Sequence, residues 1–160
     1  MRIVFAVLFC LCLCLLPAPA MADFNQGKLA YDMKQWRQAI TNLRPAAERG
    51  DARAMVLLGN MYAHGYGVDK DEEEAFILFR RAAHQDNLDG ILATAAFYQE
   101  GRGVSKNTRL AIEWFGRGAE MGSQSCAFFY AVHTYQGSKG KTYDFKPDAA
   151  ESYKIGRAHV

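Results

Sequence analysis

The stretch that decides the fold is Tyr62-Ala63-His64-Gly65-Tyr66-Gly67-Val68, which returns 36 residues later as Tyr98-Gln99-Glu100-Gly101-Arg102-Gly103-Val104. Residues 51–86 align on residues 87–122 without a gap, and nine of the 36 positions are identical. The shared residues are Tyr62/Tyr98, Gly65/Gly101, Gly67/Gly103, Val68/Val104, Lys70/Lys106, Ala75/Ala111, Phe79/Phe115, Arg81/Arg117 and Ala83/Ala119. Turn glycines and core-sized side chains are what a repeated structural unit reuses, and a fixed period of this length marks a stacked-repeat architecture.

Working outward, each unit reads as two helices joined by a glycine turn. Ala52–His64 forms the first helix of its unit, and Gly65 ends it, because glycine tolerates the left-handed backbone that closes helices. The second helix spans residues 71–84. Its acidic start, Asp71-Glu72-Glu73-Glu74, suits the positive end of the helix dipole. Ala75, Leu78, Phe79, Ala82 and Ala83 recur at helical spacing and define one buried face. The next unit repeats it with Ala111, Trp114, Phe115, Gly118 and Ala119. The same phase reaches back to Ala39, Leu43 and Ala47, giving a helix over residues 36–49 that Pro45 bends or weakens, preceded by a short helix over 24–33. Forward, residues 126–135 form a third first-helix if one residue is inserted to match Tyr135 to Tyr98. Ala149 and Tyr153 then take the places of Ala111 and Phe115.

The predicted fold is therefore all-α, a right-handed solenoid of stacked antiparallel helix pairs. Its organisation is a leader over 1–22, an N-terminal half-repeat over 23–50, repeats over 51–86 and 87–122, and a degenerate or truncated third repeat over 123–160. The leader follows from Arg2, the apolar run Ile3–Leu16, Pro17, and Ala-x-Ala sites that place cleavage after Ala20 or Ala22, the pattern of a secretory signal. A periplasmic or secreted product is expected, with no transmembrane segment after cleavage. Without Arg2, the 19 Lys+Arg fall to 18 against 17 Asp+Glu, a balance that draws the chain neither to nucleic acid nor to an anionic membrane. Three of the four cysteines lie in the leader, leaving Cys126 with no intrachain partner. Lys154–Val160 departs from the repeat phase, with Arg157 where a small apolar residue is expected. It also matches what a common sequencing adapter encodes, so further repeats are expected beyond this segment in the natural protein.

The pattern resembles the Sel1-like branch of tetratricopeptide-type repeats. The resemblance rests on Leu58-Gly59-Asn60-Met61-Tyr62, Gly65-Tyr66-Gly67-Val68, Ala75, Phe79 and Ala82-Ala83. It continues in Phe97-Tyr98, Gly101-Arg102-Gly103-Val104, Ala111, Phe115 and Ala119-Glu120. It implies an interaction role in the cell envelope with a protein or peptide partner: an adaptor, a regulator of a signalling complex, or an immunity protein that neutralises a periplasm-targeted toxin. An envelope enzyme of the β-lactam or peptidoglycan type is disfavoured, because cysteine-rich members with that description carry a cysteine pair in every repeat.

No catalytic constellation, metal pair or phosphate loop stands in the sequence, so no enzyme activity, cofactor or metal is expected. In such a solenoid the first helices line the concave face. Their outward stripe is Arg53, Leu57, Asn60 and His64 in one unit, and Asp89, Ala93, Ala96 and Glu100 in the next. With the inserted residue, it continues as Cys126, Tyr130, His133 and Gly137. The expected partner-binding residues are Arg53, Leu57, Asn60, His64, Asp89, Ala93, Glu100, Phe129, Tyr130 and His133. Phe129 enters because Phe128-Phe129-Tyr130 cannot all face one way on a helix.

Overall fold

A computed structural model describes residues 24–138, with side-chain environments to residue 134. Seven helices are found among these residues: α1 Phe24–Asp32, α2 Trp36–Glu48, α3 Ala52–His64, α4 Glu72–Ala83, α5 Leu88–Glu100, α6 Thr108–Glu120 and α7 Gln124–Ser138. Each packs on its chain neighbours, and α3 also touches α1 and α5. That is the contact pattern of antiparallel pairs stacked in order. The expected Lys154–Val160 boundary and the Ala149/Tyr153 helix lie outside the described residues.

Local chemistry fixes the helix ends. Asp51, Asp71, Asn87 and Asn107 each turn a side-chain oxygen back on the first free backbone N–H groups of α3, α4, α5 and α6. Such caps satisfy donors that a helix start leaves unpaired, each contributing about 1 kcal/mol. At the far ends Gly65 (φ 73°) and Gly101 (φ 79°) close α3 and α5 in the left-handed region. The chain then returns through Asp71 N–H donating to Tyr62 C=O and Asn107 N–H donating to Tyr98 C=O, each at 2.8–2.9 Å. Helix α2 runs through Pro45 to Glu48.

The core repeats with the sequence. Phe79 and Phe115 are fully buried at equivalent places, and Leu43 holds the corresponding place in α2. A Cβ on Gly59 would stand 2.8 Å from the Phe79 ring, so the missing side chain makes room for that ring. Thr94, in the place of Leu58, is buried without an orphaned group: its hydroxyl donates to Gly90 C=O at 2.7 Å. Cys126 is buried.

The third first-helix needs no inserted residue. A Cβ at Gly90 would meet Ala82 and Ala83, and one at Gly118 would meet Cys126. Gly90 and Cys126 are 36 residues apart, as are Ala82 and Gly118. The period therefore runs unbroken into α7, with the small partner changing sides. This corrects the expected stripe on α7. Tyr130 is only 5 % exposed, its ring lying over Gly116, and Cys126 is buried, so neither faces outward.

Candidate functional site

Register alone assigns the outward stripe. Arg53, Leu57, Asn60 and His64 on α3 run exposed, half-buried, half-buried, exposed, and Asp89, Ala93, Ala96 and Glu100 on α5 repeat that sequence of environments position for position. On α7 the same offset gives Ser125, Phe129 and Val132. Phe129 stays in the candidate set and is 38 % exposed, whereas Tyr130 leaves it. His133 also falls outside this register: its ring stacks on Phe115 at 6.0 Å. Phe128, at 56 % exposure, is the aromatic of the run that projects furthest.

The stripe residues differ in how engaged they already are. Arg53 pairs with Asp51 at 2.8 Å and lies over the Phe24 ring at 4.2 Å, so α1 already occupies this end of the face. The Arg53 guanidinium, hydrogen-bonding Asp51, holds that carboxyl below the usual carboxylate range. His64 donates its Nδ1–H to Asn60 C=O at 2.9 Å, and its ring stacks on Tyr66 at 5.2 Å. Glu100 meets Arg102 at 3.6 Å. The Asn60 side-chain amide makes no hydrogen bond among the described residues and stands between the half-buried Leu57 and the exposed His64. A free amide beside apolar side chains can recognise a peptide group by both donor and acceptor.

Sequence reasoning missed one set of residues. Trp36 stacks on Tyr66 at 4.8 Å and meets Tyr31 edge-on at 5.5 Å. Burial first, then the neighbouring charges of Tyr66 and Asp32, push the Tyr31 hydroxyl pKa up. The signal was available: Trp36 and Glu72 are 36 residues apart, as are Tyr66 and Arg102. Among the described residues no group of three or more His, Cys, Asp or Glu side chains is placed to hold a metal ion, and no helix is long and apolar enough to cross a membrane.

Residues 52–87 and 90–123 match the Sel1 repeat family. A Sel1 repeat protein from Oxalobacter formigenes superposes with a TM-score of 0.74 at 25 % identity, covering 86 % of this chain and 56 % of that one. A protective antigen of uropathogenic Escherichia coli with an SLR fold gives 0.63 at 30 % identity, over 76 % of this chain and 26 % of that one. Among curated relatives, an exopolysaccharide production negative regulator of Rhizobium leguminosarum bv. viciae is 34 % identical over 88 residues, 49 % of this chain and 33 % of the relative. The chain thus spans a third of that relative's length.

Proposed function

The chain is a Sel1-repeat protein, and on that premise we propose that it is a non-catalytic adaptor or regulator that binds a protein partner along the α3–α5 stripe in an extracytoplasmic compartment. One observation carries the reading. Two adjacent helices present the same four-position stripe, with an unengaged amide at Asn60 and small side chains at Ala93 and Ala96. Small residues let a partner's backbone approach, and the amide gives that approach a register. The mixed charge of Arg53, Asp89 and Glu100 favours a protein over a polyanion. Similarity to a regulator supports a role exerted through binding. Arg2 and the apolar run with its Ala-x-Ala sites support export.

The test is affinity capture of envelope proteins on the parent chain beside an Asn60→Arg/Ala96→Arg variant, after both show the same helical melting curve. A partner held by the parent and lost by the variant supports the stripe. A partner retained by the variant removes it. Export is checked separately by N-terminal sequencing of the protein recovered from a bacterial periplasm. A start at Met21 or Asp23 is expected, and an intact Met1 would refute export by this leader.

A further inference from the structure

Among the described residues, the loops after α3 and α5 each dock on the start of the preceding unit's second helix, forming two joints through the same positions with different chemistry. At the first, the loop after α3 presses Gly67 against Trp36 at the start of α2, and the Tyr66 ring stacks with both the Trp36 and the His64 rings. At the second, the loop after α5 presses Gly103 against the backbone of Glu72 at the start of α4. There Arg102, in the place of Tyr66, bonds Glu72, in the place of Trp36, at 3.0 Å. Glu100, in the place of His64, meets the same guanidinium at 3.6 Å. Lys70 reaches the same Glu72 carboxylate oxygen at 2.9 Å, and Arg102 also covers the Phe97 ring at 4.4 Å. The side chains of Glu72 and Arg102 keep about a third of their surface in solvent, at 29 % and 30 %. The first joint is thus closed by ring stacking, which salt leaves alone. At the second, α4 and α5 pack through the Phe76, Phe79, Phe97 and Tyr98 rings, and the α5–α6 loop is held to the start of α4 by a partly solvated charge cluster, which salt screens.

We propose that the second joint carries a salt-sensitive latch: rising ionic strength loosens the α5–α6 loop from the start of α4, with α4 and α5 still packed, while the Trp36–Tyr66 contact stays closed. Glu100, the last stripe residue of α5, shares the Arg102 guanidinium with Glu72, so the latch reaches the end of the stripe. The latch itself stands whether or not the stripe binds a partner.

The chain supplies its own reporters. The Arg102–Gly103 bond at the second joint is a trypsin site, and the Tyr66–Gly67 bond at the first is a chymotrypsin site. Folded full chain is digested briefly with each protease as salt rises from about 10 mM to about 1 M, over which the screening length falls from about 30 Å to about 3 Å. Cleavage at each bond is quantified by mass spectrometry and divided by cleavage of an unstructured peptide carrying the same bond. Relative cleavage after Arg102 is expected to rise about two- to fivefold, the range that a partly exposed ion pair controls, while cleavage after Tyr66 stays level. Glu72→Gln, with its helical content checked by circular dichroism, is expected to show the high-salt rate after Arg102 already at low salt, with little further rise. A flat response at Arg102, an equal rise at both bonds, or an undiminished salt response in Glu72→Gln overturns the proposal.

Discussion

Replacing Gly103 by alanine should cost far more than replacing Gly50, although both glycines have positive φ. Gly50 stands at φ 97° with nothing within 4 Å of where an alanine methyl would sit, so alanine there meets only backbone strain. That strain is about 1–2 kcal/mol, partly offset by about 0.4–1 kcal/mol from the less flexible unfolded chain, for a net loss of about 1 kcal/mol. Gly103 stands at φ 59° and carries the same strain, but its Cβ would also enter the carbonyl of Glu72 and the amide of Glu73. These are backbone atoms at the first turn of α4, capped by Asp71, and they cannot swing aside as a flexible side chain would. Overpacking of this kind costs about 1–3 kcal/mol more. The total for Gly103→Ala is then about 2–4 kcal/mol, read as the difference in urea midpoint at constant slope. Equal losses for the two variants would refute the close approach of the α5–α6 loop to α4, and with it the geometry of the second joint.

Other outcomes follow from the same structure. Phe115→Ala should cost about 3–5 kcal/mol by emptying a fully buried site, whereas Phe128→Ala should change stability by less than about 0.5 kcal/mol; thermal melts compare them. Asp51 and Glu72 have depressed carboxyl pKa values, Asp51 through the Arg53 hydrogen bond and Glu72 through Lys70 and then Arg102. Their contribution is therefore fully present above the unfolded carboxylate pKa and is lost as pH falls through the lower folded values. Urea midpoints of Asp51→Asn and of the parent should converge on acidification. Burial raises the Cys126 thiol pKa, so native chain should react with an aromatic disulfide reagent at neutral pH far more slowly than urea-unfolded chain. Asp86 holds a left-handed backbone (φ 58°) and an exposed pair with Arg117 at 2.6 Å, so Asp86→Gly should be close to neutral in chemical denaturation.

Most of the architecture was legible because one period governs both pattern and packing. The Gly65/Gly101 turns, the Phe79/Phe115 faces and the start and end of α3 followed directly from residues 36 apart. The error in α7 came from matching Tyr135 to Tyr98 by residue type. An ungapped offset already put Cys126 on Gly90 and Tyr130 on Thr94, both inward positions. The exchange hid because the glycine changed sides: Ala82 against Gly90 became Gly118 against Cys126. Engagement of the stripe was less legible. The Phe24 ring over Arg53 depends on how α1 folds back on α3, which no local spacing encodes. The unit joints were visible only once the loop residues 66 and 102 were read together with the helix starts 36 and 72.

The proposed function turns on whether the α3–α5 stripe is the surface that meets a partner. A photo-crosslinking residue at Asn60 or Ala96, compared with one at the exposed Thr41 on α2 or Ile77 on α4, tests this in cells producing the full chain. Crosslinks to one and the same protein from positions 60 and 96, and none from 41 and 77, are the predicted result. Crosslinks from 41 and 77 alone would place the partner on the second helices and contradict it.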